Sequence, residues 1–251
     1  MIKEEGKFKW IEEGEGGHPI ILLHGLMGGC DNFGEMVDFI SEEYHVYGLD
    51  LKLFEGKLLK VSVKNLSDYL YKFMNQLELK SAVLIGNSMG GHIALIFAKE
   101  HPEMVDGMIL TGSSGLFENS LGSSFPRRGD KDYIRTKAEE VFYDPKVATD
   151  ELVDRVFAIA NNRISVLKLI GYAKSAIRHN MAKDIPNLKQ KTCLIWGVED
   201  KVTPPHVAKE FHKLLPNSEL NWIPKCGHAP MWEHPKPFSE IVLKWLKNHN
   251  I

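Results

Sequence analysis

The chain has 251 residues, with 31 basic and 33 acidic side chains and a net charge of −2, a balance that gives no electrostatic reason to expect a nucleic-acid partner. Hydrophobic residues make up 43% and charged residues 25%, which excludes a disordered chain and suits a globule that buries its core without cross-links. Three cysteines, Cys30, Cys193 and Cys226, with no CxxC pair among them, exclude a disulfide framework and a zinc knuckle, so no metal is expected. The opening Met1-Ile2-Lys3-Glu4-Glu5-Gly6 is acidic where a signal peptide is basic and then apolar, and no apolar run approaches the roughly 20 residues that span a bilayer. The expectation is a cytoplasmic protein with no membrane partner.

In chain order, short apolar runs at residues 8–13, 19–24 and 45–50 read as strands, and the central ones are apolar enough to be buried on both faces. A helix is expected over 63–77, where Val63, Leu66, Tyr69, Leu70, Phe73 and Leu77 recur near helical spacing. Strands at 82–86 and 107–111 follow, with a helical run at 92–99 between them. The alternation stops after Gly112. Residues 113–184 read as an inserted helical cap that opens in a Ser- and Gly-rich stretch and then presents Leu152, Val153, Val156, Phe157 and Ala160 on one apolar face. The pattern resumes with strands at 192–196 and 219–223 and helices opening near Pro205 and Pro237. The fold class is α/β, a doubly wound, mostly parallel sheet built from residues 1–112 and 185–251.

Gly86-Asn87-Ser88-Met89-Gly90 is a GxSxG pentapeptide set between a strand and a helix. That context marks a turn so tight that the central residue is forced into strained torsions and its neighbours must lack side chains. A serine hydroxyl needs a general base, and the base needs a carboxylate to fix its tautomer. Later strand ends supply both. Asp200, in Gly197-Val198-Glu199-Asp200, is the expected acid, with Glu199 as its neighbouring alternative; His228, in Cys226-Gly227-His228-Ala229, is the expected base, with His92 and His234 as competitors. The oxyanion donors would be the backbone N–H groups of Met89 and of Leu26 in His24-Gly25-Leu26. His24 itself reads as a brace for that loop. Neither GxGxxG nor GxxxxGK follows a strand, so no nucleotide site is expected.

On His24-Gly25, the elbow at Ser88, Trp196-Gly197 with Asp200, and Gly227-His228, the chain resembles the α/β-hydrolase fold enzymes along its whole length. Gly86-Asn87-Ser88-Met89-Gly90-Gly91 and Trp232-Glu233-His234-Pro235 are similar to the meta-cleavage-product hydrolases, which split carbon–carbon bonds in vinylogous diketones, and similar elbows occur in carboxylesterases. The chain departs from the former at Ala229, where they carry Trp, and at Arg155, one residue out of step with their cap arginine. It also departs from the Gly-rich loop of relatives at Asp50-Leu51-Lys52-Leu53-Phe54-Glu55-Gly56-Lys57. The resemblance implies a serine hydrolase without a cofactor, a carboxylesterase of small to medium acyl esters, acting on a small-molecule ester. Carbon–carbon hydrolysis, with Asn87 and a cap arginine assisting, is the alternative; a ligand-binding relative without catalysis is a third reading. A cap leaving after Thr111 would overhang Ser88, so Asn87, Leu116, Phe117, Phe125, Val156 and Ile159 are the candidate substrate contacts.

Overall fold

The computed structural model describes residues 1–56, 58, 61–117 and 129–251. In chain order the main elements are β1 (Ile2–Glu5), β2 (Phe8–Glu13), β3 (Pro19–Leu23), α1 (Gly34–Ser41), β4 (His45–Leu49), α2 (Val63–Gln76), β5 (Ala82–Asn87), α3 (Met89–Glu100) and β6 (Val105–Thr111). They continue with α4 (Lys131–Glu139), α5 (Asp150–Asn161), α6 (Arg163–Arg178), β7 (Thr192–Gly197), α7 (Pro205–Leu214), β8 (Ser218–Ile223), α8 (Pro230–Glu233) and α9 (Pro235–Asn248). Eight strands form one sheet in the order β1-β2-β4-β3-β5-β6-β7-β8. β1 and β2 pair antiparallel, β2 and β4 likewise, and every later pair is parallel.

The two-residue period of a strand divides each central run between two cores. Ile21 and Leu23 of β3, Ala82 and Leu84 of β5, and Leu194 and Trp196 of β7 face the core covered by α2, α3 and α7. Ile20, Leu22, Val83, Ile85, Cys193 and Ile195 face the one covered by α1 and α9. This is why these strands read as unbroken apolar runs. α2 shows the opposite pattern, burying Val63, Leu66, Leu70, Phe73 and Met74 on one stripe, and it starts where the Ser62 hydroxyl accepts the Asn65 N–H at 3.1 Å. The expected strands all form, most with ends one or two residues displaced. β1 was not expected because it is exposed throughout and carries a single apolar residue, Ile2.

The chain builds β3, then β4 on one side, and crosses to place β5 on the other. The carboxyl ends of β3 and β5 are therefore the switch point of the sheet, where open α/β sheets leave a crevice. Between β6 and β7 lie α4, α5 and α6. Among the described residues, polar contacts help seat α6 on the core. Ser175 accepts the Val63 N–H at 3.1 Å, and the buried Lys168 ammonium donates to the carbonyls of Phe54, Glu55 and Gly56 at 2.8, 2.7 and 2.8 Å. The three donors of Lys168 are thus matched one to one by the loop that departs from the Gly-rich pattern. Replacing Lys168 with Met is expected to strand these carbonyls and lower stability by about 2–4 kcal/mol, measured as a reduced urea midpoint with an unchanged far-UV spectrum.

Candidate active site

β5 ends at Asn87 and α3 begins at Met89, which leaves Ser88 alone to reverse the chain. It takes φ 54° and ψ −118°, a region that costs a non-glycine residue roughly 1–3 kcal/mol. Backbone bonds hold it there: Ser88 N–H donates to Thr111 O at 3.0 Å, and Ser88 O accepts from Gly91, His92 and Ser114 N–H at 3.1, 3.3 and 3.0 Å. The turn brings α3 against β3 so closely that a Cβ at position 90 would fall on the Leu23 carbonyl oxygen. Only glycine fits there.

Asp200 and His228, 3% and 6% exposed, meet at the ends of β7 and β8 with His228 Nδ1 3.0 Å from Asp200 Oδ2. Every lone-pair direction of this carboxylate is engaged. Oδ1 accepts the N–H groups of Val202 and Thr203 at 2.8 and 2.9 Å, and Oδ2 also accepts the Thr203 hydroxyl at 2.9 Å. The Trp196 indole donates to Thr203 O at 2.8 Å and ties the same turn to the core. A carboxylate fixed on Nδ1 places the proton there and leaves Nε2 as the acceptor. Glu199, the alternative acid, instead accepts the Cys226 N–H at 3.0 Å.

His228 and Ser88 line one cavity of about 380 Å³, together with Leu26 and Asn87. Met89 opens α3, so its N–H has no acceptor within the helix. Asn87 is less free than a substrate contact would be, because its Nδ2 donates to Thr111 O at 3.2 Å and His228 O at 3.0 Å. His24 braces its loop as expected: Nε2 accepts the Leu51 N–H at 3.0 Å, so the proton lies on Nδ1, which donates to Gly25 O at 2.9 Å. His234 donates from Nε2 to Lys225 O at 2.7 Å and does not line the cavity.

Of the expected substrate contacts in the insertion, Val156 lines the cavity, while Leu116, Phe117 and Ile159 are not among its lining residues. Leu116 and Phe117 instead pack on the core under α2, α3 and α7, and Phe117 meets the His206 ring edge-on at 5.7 Å. The chain turns away through Gly115, at φ 119°, before it reaches them. Phe125 lies outside the described residues. In their place come Ile134 of α4, Val141 and Phe142 just after it, Leu152 of α5 and Leu169 of α6, with Met231 and Trp232 of α8. α4 was missed because its only buried residues are Ile134 and Ala138, too few to register as a period. Thr203 was missed too, although Asp200-Lys201-Val202-Thr203 has the spacing at which an aspartate accepts backbone N–H groups two and three residues on. Arg155 turns its guanidinium to Asp31, at 2.9 Å, and lies outside the cavity lining.

A model of the alpha/beta hydrolase fold family matches residues 18–140 and 159–235. The 2-hydroxy-6-oxononadienedioate/2-hydroxy-6-oxononatrienedioate hydrolase of Comamonas testosteroni is 31% identical over 92% of this chain and 88% of its own length. Among solved structures, MGS-MChE2, an alpha/beta hydrolase enzyme from the metagenome of Mar Chica lagoon sediments, is 42% identical with a TM-score of 0.83, both chains being covered in full. The meta-cleavage product hydrolase of Pseudomonas fluorescens IP01 shares the fold, at 24% identity and a TM-score of 0.84 over 96% of this chain and 94% of its own. The family match and these relatives support a hydrolase. The chain belongs to the α/β-hydrolase fold family. No helix among the described residues is long and apolar enough to cross a membrane.

Behind the elbow, His92 of α3 is fully buried and donates from Nε2 to His179 O at 2.9 Å. Burial, aided by the nearby His179, pushes its pKa down from 6.5 to about 4. The unfolded chain binds a proton here that the folded chain refuses, so stability is expected to fall as the pH drops from about 6.5 toward 4, by about 3 kcal/mol at full extent. Urea unfolding at pH 7 and pH 5 checks this: the wild type loses stability between them, and His92→Gln loses less.

Proposed function

We propose that this chain is a serine carboxylesterase that cleaves small to medium acyl esters through an acyl-enzyme on Ser88. In this reading Ser88 Oγ bonds to the ester carbonyl carbon while its proton passes to His228 Nε2. The resulting oxyanion faces the N–H groups of Leu26 and Met89, the second at the positive end of α3. The carbon–oxygen bond to the alcohol then breaks, and His228 returns the proton to the leaving alkoxide. Water repeats the sequence on the acyl-enzyme, with His228 again as base, and releases the acid. Asp200 holds the imidazole in the required tautomer and faces the positive charge that develops on it.

The observation that carries the ester reading is the chemistry of the cavity wall. Among the described residues its lining is mainly apolar and contains no arginine; Arg155 is paired with Asp31, and Ala229 follows His228. An ester needs only the nucleophile, the base and the oxyanion donors, whereas the dienol reading calls for a cap arginine; the charged side chains of this lining are Lys137, paired with Glu140, and Lys201. Helices α4 to α6 act as the cap in this proposal, with Val156, Ile134 and Phe142 around the acyl group. Carbon–carbon hydrolysis is the second reading, favoured by the Comamonas testosteroni relative, and it would use the same three residues.

Turnover of graded p-nitrophenyl esters beside one ring-fission dienoate decides between them. The expected result is ester hydrolysis with kcat/KM at least about 100-fold above that for the dienoate, a difference of roughly 2.7 kcal/mol in transition-state binding; the inverse ratio would replace the ester by the diketone. On the better substrate, Ser88→Ala is expected to lower kcat by about 10⁴–10⁶, and Asp200→Asn by about 10²–10⁴, with the fold retained. An Asp200→Asn enzyme at full rate, checked by circular dichroism, would remove Asp200 from the mechanism.

A further inference from the structure

The segment Trp232-Glu233-His234-Pro235 takes no part in the chemistry proposed above, yet its carboxylate reaches the loop that carries His228. We propose that Glu233 is a positioning residue for the catalytic base: it sets the place of the His228 backbone and fastens that backbone to the inserted segment. The inference rests on the reading of His228 as the base that activates Ser88.

Glu233 closes α8. Its Oε1 accepts the Gly227 N–H at 2.7 Å and its Oε2 accepts the Tyr143 N–H, also at 2.7 Å. One side chain therefore joins the residue before His228 to the stretch that follows α4. Within that bridge His228 N–H donates to Val141 O at 2.9 Å. Glu199 repeats the arrangement on the other side, where Oε2 accepts the Cys226 N–H at 3.0 Å and Glu199 N–H donates to Cys226 O at 3.0 Å. Three successive N–H groups, at 226, 227 and 228, thus end on acceptors outside the loop, two of them carboxylates, and carboxylate bonds are roughly twice as strong as neutral ones.

The Asp200 bond fixes the rotation of the imidazole. It does not fix where the His228 Cα stands, and a displacement of 1 Å in a reacting group can cost about 100-fold in rate. The anchors through Glu233 and Val141 supply that second constraint. Their closeness is built into the sequence, since a Cβ at position 227 would stand 2.5 Å from Val141 O. The chemistry also requires a carboxylate rather than an amide. Two backbone donors from different parts of the chain arrive at the two oxygens; glutamine could accept only one of them and would turn its NH₂ toward the other.

A fluorophosphonate probe on the full chain tests this without assuming a natural substrate. Ser88 Oγ bonds to phosphorus, the phosphorus–fluorine bond breaks with fluoride leaving, and the serine proton passes to His228. For Glu233→Gln the second-order labelling constant is expected to fall about 10–100-fold while all of the protein is still labelled eventually, and on an ester kcat falls with KM within about 3-fold. A role confined to holding the fold would lower the labelled fraction and leave the rate constant of that fraction unchanged, and this result would overturn the proposal. If Glu233→Gln does not yield folded protein, Glu233→Asp, which keeps the charge but lacks the reach to span both N–H groups, is read by the same two quantities. Wild-type protein that resists labelling would overturn the Ser88–His228 reading and this inference together, whereas equal rate constants in wild type and variant would overturn the role of Glu233 alone.

Discussion

The left-handed backbone at Ser88 is the constraint from which the rest of the site follows. A strand that must become a helix within one residue cannot relax its torsions, and Ser88 stays at φ 54° because Thr111 O, Gly91, His92 and Ser114 hold both of its peptide groups. Those bonds require β6 alongside β5, and α3 pressed against β3 at Gly90. The strain is therefore supported by the centre of the sheet, where Ile85, Leu84 and Ile109 are completely buried. A hydroxyl so mounted lies at the switch point between β3 and β5, in reach of the Leu26 loop and the open end of α3.

The partners proposed for Ser88 are held by a different means. Asp200 and His228 lie in loops, where no strand ladder fixes the backbone, and polar anchors take over that task. Asp200 folds its own turn by accepting Val202 and Thr203 N–H. His228 is held at Nδ1 by Asp200, at its N–H by Val141, and at its carbonyl by Asn87. The last contact runs back to the residue before Ser88 and ties β5 to the histidine loop. Nearby Cys226 stays a thiol, because burial and the carboxylates around it, Glu233 first, push its pKa up, and it offers no competing nucleophile.

The helices between β6 and β7 are joined to the core by charge at several separate points. Lys168 closes on three carbonyls after β4, Arg155 pairs with Asp31 after β3, and Glu233 takes the Tyr143 N–H beside His228. These contacts tie the segment between β6 and β7 to loops after β3 and β4 and to the histidine loop.

The sequence by itself determined the sheet and the strained turn at its edge. Apolar runs such as those at β3, β5 and β7 suit strands buried on two faces, and GxSxG between a strand and a helix suits a strained turn, so these strands, the turn at Ser88 and the bracing role of His24 were legible as local patterns. The tertiary structure decided what depends on residues far apart in the chain. Leu116 and Phe117, apolar and next to the strained turn in space, pack against the core, while Ile134 and Leu169 reach the cavity from helices whose exposed faces blur their period. In the sequence Glu199 is a neighbour of the expected acid and Glu233 part of a motif, yet both grip the histidine loop. Local pattern reports torsions and burial because these act within a few residues. The partner of a carboxylate or the wall of a cavity is set by the packing of whole elements, which no short stretch of sequence encodes.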